Sequence, residues 1–208
     1  MKKFALAAAV FILSCGSAAA QSTGWYAGIN VAASRIGMSG GDINGALANQ
    51  GINGASTILH TTDKAAGFEI GYRMSDNFAV EGGYQYLGNF KYESTAGTTT
   101  IKGDYRAQAV SLAALGFIPF TPNWSLYAKG GLHYNTADLG ASSSSAAVPV
   151  SGKSESRAGW LAGVGIRYDF DGGIYTRVGW DHYARIGQNG ATGATAIDLL
   201  QIAVGMKF

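Results

Sequence analysis

The feature that most constrains this chain is a two-residue alternation of apolar and polar side chains, repeated in short segments between Gly24 and Phe208. A period of two puts successive side chains on opposite faces of an extended strand, so each segment predicts a β-strand with two different faces. Turn-forming residues separate the segments and leave roughly ten residues for each strand. Eight segments fit, at residues 24–34, 64–73, 78–86, 104–117, 124–135, 157–169, 174–181 and 200–208.

The segment at 104–117 does not keep one apolar face. Tyr105 and Phe117 share one parity, whereas Val110 and Leu112 share the other. One extra residue in a strand of an antiparallel pair reverses the faces beyond it, so a β-bulge explains this change. The inward face predicted for this strand includes Arg106.

Glycine occupies much of the face opposite the apolar one. The chain has 31 glycines and 3 prolines, and 13% of its residues are charged. A strand face in water usually carries many charged and hydroxyl side chains, whereas glycine suits a crowded barrel interior. The pattern therefore predicts a closed barrel with its apolar side chains toward lipid. A soluble β-sandwich with an aromatic core is the alternative.

The first twenty residues predict a cleaved signal peptide. Lys2 and Lys3 precede an apolar run, and three alanines end at Ala20. We expect one mature domain at residues 21–208. An alternative makes Cys15 a site of lipid attachment. Cys15 is the sole cysteine, so cleavage would leave a mature chain without a disulfide.

Charge and hydropathy narrow the classes of partner. Two of the 15 basic residues lie in the leader, so the mature chain has 13 basic and 13 acidic residues and no net charge. Such a chain lacks the basic field that nucleic acid attracts. After the leader, no apolar run approaches the ~18 residues of a transmembrane helix. Strands are therefore expected to cross the membrane.

The connections between the predicted strands alternate in length. Those after the second, fourth and sixth strands are short, whereas long connections include 35–63 and 138–156. Outer-membrane barrels show this asymmetry between periplasmic turns and extracellular loops. Aromatic residues on the outward face fall near the strand ends, where the membrane interface favours them. The predicted interface aromatics are Trp25, Tyr72, Phe78, Trp124, Trp160 and Trp180.

Four segments carry a family resemblance, namely 24–28, 79–84, 111–119 and 124–127. With them, the mature chain resembles the small outer-membrane β-barrel family that includes the OmpA-like transmembrane domain and the OmpX-like barrels. The resemblance implies an all-β, eight-stranded antiparallel up-and-down transmembrane β-barrel in the outer membrane of a Gram-negative bacterium. It also implies that the terminal Phe208 is the signal for the barrel assembly machinery. Periplasmic chaperones would assist biogenesis, and outer-membrane lipid and lipopolysaccharide would surround a monomer without a cofactor.

The candidate functional site is a set of charged side chains predicted to face the narrow interior. A buried charge requires a partner, because an isolated ion in such a place is very costly. We expect the two glutamates of the set to face its lysine or arginines. The six residues are Glu69, Glu81, Lys129, Arg167, Arg177 and Asp181.

We predict a structural or surface role, to which weak permeability to small solutes would be an addition. The charged interior is then either a static polar core or a gate whose ion pairs exchange to pass small ions. A surface adhesin acting through the long loops is the alternative. A lipid-modifying enzyme is less favoured, because His60, His133 and His182 do not belong to a His-x-Ser-Asn pattern. The chain also lacks the Cys and His spacing of a zinc site, so we expect no enzyme.

Overall fold

The computed structural model describes residues 23–49, 51–97, 99–143, 152–188 and 194–208. The predicted signal peptide lies outside these residues. The elements in chain order are β1 (Gly24–Ile36), α1 (Gly40–Ala48), β2 (Ser56–Leu59), β3 (Thr62–Arg73), β4 (Phe78–Ala96), β5 (Thr99–Pro119), β6 (Trp124–Ser143), β7 (Lys153–Asp169), β8 (Ile174–Ile186) and β9 (Thr195–Lys207).

The strands form one antiparallel sheet that closes on itself. β1 pairs with β3 on one side and with β9 on the other, and the β4–β5 ladder completes the ring. Directly paired residues can be followed once around the ring, from Arg35 to Asp198 on β9 and then through β8, β7, β6, β5, β4 and β3. The path returns to β1 at Trp25, ten residues before its start. This stagger is the shear that tilts the strands of a barrel.

The sheet contains nine strand segments but eight positions around the ring. β2 pairs with β4 alone. Its partner residues on β4 follow those of β3, and the registers of β2 and β3 against β4 differ by one residue. β2 therefore prolongs β3 beyond a break at His60 and Thr61. The ring has the eight antiparallel positions predicted from the sequence.

The helix α1 lies in the connection that was predicted as a loop at 35–63. Its N-cap Ser39 donates its backbone N–H and its hydroxyl to the Asp42 carboxylate, at 2.8 and 2.7 Å. These two hydrogen bonds hold the pKa of the Asp42 carboxyl below its usual value. Ile43 and Leu47 are buried in the same apolar cluster as the outer ends of the strands. Among the described residues, no helix has the length and apolar character needed to cross a bilayer.

The strands extend farther toward the long connections than predicted. β4 runs to Ala96 rather than to 86, and β5 and β6 contain 21 and 20 residues. Residues 138–143 and 153–156, predicted as loop, are strand. In this outer part Phe90 is buried, whereas its neighbour Lys91 is exposed. The faces are therefore reversed relative to the lower part of the barrel, with apolar side chains inward and charged ones outward. The outer part of β4 begins where the alternation is interrupted, between Tyr86 and Gly88.

The mixed parity of β5 has this same origin. Both ladders of β5 run without a shift along β5 itself, and the single irregularity lies in β4, between Tyr86 and Gly88. Odd-numbered residues face inward throughout, so Val110 and Leu112 are outward and exposed. The proposed bulge in β5 is wrong, because the surroundings of the strand change rather than its register. Arg106 is also not inward: it is exposed, and its Nη2 lies 3.7 Å from Asp104 Oδ2.

The lower part of the barrel presents apolar side chains on its outer surface. Trp25 and Tyr72 on β1 and β3 form an edge-to-face pair with ring centroids 5.3 Å apart, and Trp124 and Tyr168 lie 4.7 Å apart on β6 and β7. The backbone N–H of Phe208 donates to the Trp25 carbonyl. The role of Phe208 in barrel assembly stays a prediction, as does the depth of the aromatic residues in the bilayer. All six predicted interface aromatics are exposed: Trp25, Tyr72, Phe78, Trp124, Trp160 and Trp180.

Inward glycines leave space for large side chains from other strands. A Cβ at Gly165 would lie 2.7 Å from both Gly179 Cα and Tyr127 Cε1, and would also collide with the Val178 carbonyl. Backbone atoms of a paired strand have little freedom to withdraw. At Gly130, on the outer surface of β6, a Cβ would meet nothing within 4 Å.

We therefore expect Gly165→Ala to lower the free energy of unfolding by about 1–3 kcal/mol through overpacking. The matched Gly130→Ala should change it by less than about 0.5 kcal/mol. Urea titration in detergent micelles, followed by tryptophan fluorescence, measures both variants. Equal effects of the two substitutions would show that the interior is not close-packed at Gly165.

Candidate functional site in the barrel interior

The interior of the lower barrel is organised around Arg177 on β8. Its Nη1 donates to Glu81 Oε2 at 2.8 Å, and its Nη2 forms an ion pair with Glu69. Phenol groups also donate hydrogen bonds to the two carboxylates: Tyr26 donates to Glu81 at 2.9 Å, and Tyr175 donates to Glu69 at 3.1 Å. The cluster thus joins four strands, β1, β3, β4 and β8, by charge-assisted hydrogen bonds, which are stronger than neutral ones.

A second buried pair involves Lys129 on β6. Its Nζ lies 2.6 Å from Asp181 Oδ2 on β8, and Gln201 on β9 donates to the same oxygen at 2.6 Å. Asp181 is buried, as is the side chain of Lys129. Lys129 therefore neutralises Asp181 rather than either glutamate.

Arg167 belongs to a third group, near the short turns. Its guanidinium donates to the Asp169 carboxylate two residues along β7, with the shortest contact at 2.8 Å. Lys207 Nζ also lies 2.8 Å from Asp169, and Arg73 Nη1 lies at 3.7 Å. The Arg167 guanidinium carbon sits 3.8 Å from the centre of the Tyr175 ring, a cation–π distance. Arg167 therefore contacts neither of the two glutamates.

Above the charged layers the interior becomes apolar. Leu87, Phe90, Ile101 and Tyr105 are fully buried there, together with residues of α1. An eight-stranded barrel is just wide enough for side chains to fill. The described part of the interior therefore holds a charged lower layer and an upper layer whose largest fully buried side chains are apolar.

The β7–β8 ladder ends at Leu161 and Tyr183. Beyond it, side chains rather than the paired strand bond to the backbone carbonyls. Asn135 on β6 donates to the backbone carbonyls of Arg157 and Arg185, at 2.8 and 3.1 Å. His133 Nε2 lies 2.9 Å from the Ala184 carbonyl oxygen. These two inward residues supply hydrogen bonds that the diverging strands no longer exchange.

The three histidines have separate surroundings. His60 is exposed, and His133 is buried inside the barrel. His182 faces outward, where its Nδ1 lies 2.8 Å from Asp198 Oδ1. The residues paired directly with His182 on β7 and β9 are Ala162 and Asp198, neither of which offers a hydroxyl nucleophile. Within the described ranges, no three Cys, His, Asp or Glu residues are grouped to hold a metal ion.

Sequence reasoning missed several members of the interior network. It did not include Asp169, although this aspartate neutralises Arg167. It also gave no role to the phenols of Tyr26 and Tyr175, which share the inward parity of Gly28 and Arg177. Inward parity identifies such tyrosines, but their carboxylate partners lie on strands distant in sequence.

The Arg177 cluster should dominate the electrostatic part of stability. We expect Arg177→Met to lower the free energy of unfolding by about 3–5 kcal/mol, because both glutamates lose their buried counter-ion. Adding Glu69→Gln and Glu81→Gln to this variant should recover much of the loss, since no unpaired charge then remains. Urea titration in detergent micelles is the measurement.

The matched control is Lys102→Met. Lys102 and Glu93 lie 3.2 Å apart on the outer surface and are both exposed, so losing this pair should cost about 0–1 kcal/mol. If Arg177→Met were no more destabilising than this control, the buried cluster would not be a major source of stability.

Sequence comparison places the chain among known proteins. Residues 20–208 match the family described as OmpA-like transmembrane domain. Outer membrane protein A of Shigella flexneri is 30% identical over 134 residues, which are 63% of this chain and 34% of that protein. The match therefore spans about a third of the length of that curated relative.

Solved structures with the same fold are distant in sequence. Neisserial surface protein A has a TM-score of 0.57 at 14% identity, covering 88% of this chain and 97% of that one. OprG from Pseudomonas aeruginosa has a TM-score of 0.55 at 16% identity, covering 89% and 96%. The closed ring and the family match agree: this chain belongs to the OmpA-like transmembrane domain family, the β-barrels of the Gram-negative outer membrane.

Proposed function

We propose that this barrel is a closed structural anchor that holds its own extended outer strands at the cell surface. The observation that carries the proposal is the filled interior, in which Arg167 and Arg177 are buried below and Leu87 and Phe90 above. A continuous water path would need to displace both layers. The protein is therefore expected to act through its surface rather than as an open pore.

The lengths of the outer strands support the surface part of the proposal. A tilted transmembrane strand needs about 9–11 residues, whereas β4, β5 and β6 contain 19, 21 and 20. About half of each strand thus extends beyond the lipid-facing part. Charged side chains on the outside and apolar ones inside give this extension the make-up of a water-exposed barrel wall. A rigid wall of this kind suits contacts with molecules outside the cell.

A second candidate is passage of small solutes by exchange of ion pairs. Arg177 Nε and Asp181 Oδ1 are buried without a hydrogen-bond partner among the described residues. Such spare donors and acceptors favour alternative pairings of Lys129, Glu81 and Asp181 that would briefly admit an ion. This candidate must also move the apolar layer above.

Single-channel recording in planar bilayers separates the two candidates. We expect the wild-type protein to show no discrete conductance steps, and Lys129→Met combined with Glu81→Gln to show none either, because the apolar layer still blocks the path. A large porin in the same bilayer is the positive control. Conductance steps in the wild type that change in the double variant would favour the ion-pair gate and overturn the closed anchor.

A further inference from the structure

We propose that Arg35 on β1 and Lys64 on β3 form a binding site for the phosphate groups of a phosphorylated glycolipid in the outer leaflet. The site lies on the outside of the barrel, separate from the interior network. Its ligand is defined by chemistry: an anionic headgroup attached to acyl chains that lie along the strands below.

The two cations are neighbours on one face of the sheet. Arg35 pairs with Thr62, and Lys64 pairs with Ala33, so the cations occupy diagonal positions across the β1–β3 ladder. Diagonal positions on one face are within reach of long side chains. Both side chains are exposed, so one headgroup can contact both.

The level of the cations matches that of a headgroup. Toward the short turns, the outward face of β1 continues through Ala33 to Val31, which is 64% exposed, and that of β3 continues through Ala66 to Phe68, which is 55% exposed. These apolar side chains suit contact with acyl chains. Arg35 and Lys64 are the first charged residues above them, where the phosphates of the leaflet lie.

Two other outward cations of the outer barrel already have acidic partners. Lys102 lies 3.2 Å from Glu93, and Arg106 lies 3.7 Å from Asp104. Among the described residues, no ion pair involves Arg35 or Lys64. Two free cations at a lipid boundary leave an unbalanced positive charge that a phosphate would neutralise. The guanidinium can also bind two phosphate oxygens at once.

One carboxylate faces the site from the other side. Asp198 on β9 pairs directly with Arg35 in the ladder, but its Oδ1 contacts His182 Nδ1 at 2.8 Å. The His182 ring lies 5.4 Å from that of Trp160 and 5.9 Å from that of Trp180. Asp198 is therefore held toward β8 and away from Lys64. With His182 neutral, Lys64, Arg35 and Asp198 together carry one net positive charge.

The test is binding of purified lipid A to the full mature chain in zwitterionic detergent, quantified by native mass spectrometry. The site variant is Arg35→Gln with Lys64→Gln. The control variant is Lys102→Gln with Arg106→Gln, which removes the same charge from the outer surface. At about a fivefold change in affinity per surface cation, we expect the site variant to weaken binding roughly 10- to 30-fold and the control variant to leave it within about threefold.

Further arms identify the group that is recognised. Lipid A stripped of its phosphates should bind the wild type as weakly as intact lipid A binds the site variant, and the charge-preserving pair Arg35→Lys with Lys64→Arg should retain binding. Inorganic phosphate at the same concentration should not compete. Heat-modifiable migration on a gel confirms that each variant is folded. Equal weakening in the control variant, undiminished binding in the site variant, or full competition by inorganic phosphate would overturn the proposal.

Discussion

The closed backbone ladder is the constraint on which the rest of this structure depends. Lipid offers no hydrogen bonds to a peptide group, so a sheet within it must leave no free edge. Here β1 bonds to both β3 and β9, and the ten-residue stagger around the ring sets how far the strands tilt. Closure at eight positions also fixes a narrow interior. The glycines, tyrosines and ion pairs inside are consequences of that width.

The narrow interior explains why charge and aromatic rings occur together there. Arg177 is buried between Glu69 and Glu81, and Tyr26 and Tyr175 donate to the same carboxylates. Each ionised group gains several donors or acceptors, which offsets the cost of removing it from water. Glycines on neighbouring strands make room for the rings. Farther out the outward side chains become charged, and the largest buried side chains of the interior become apolar.

Sequence reasoning predicted the parts of the fold that follow from local pattern. Alternation located the eight strands, and inward parity identified Arg177 and Asp181. The outer parts of β4 and β6, at 87–96 and 136–143, were missed for two reasons. β6 reverses the pattern, with Leu139 buried beside an outward Asp138, whereas in β4 the alternation is interrupted at the bulge between Tyr86 and Gly88. Pairing could not be predicted either. Lys129 pairs with Asp181, and Arg167 pairs with Asp169. These pairings depend on the stagger of the strands and the length of each side chain, which the residues near each charge in the sequence do not determine.

The reversal of faces along single strands is the central claim, and β4 tests it most directly. Spin labels at single cysteines replacing Val80, Tyr84, Lys91 or Glu93, with Cys15 changed to serine, report contact with oxygen in lipid or with a nickel chelate in water. We predict that labels at 80 and 84 collide mainly with oxygen, and that labels at 91 and 93 collide mainly with the chelate. The same ratio at all four positions in reconstituted bilayers would contradict the reversal.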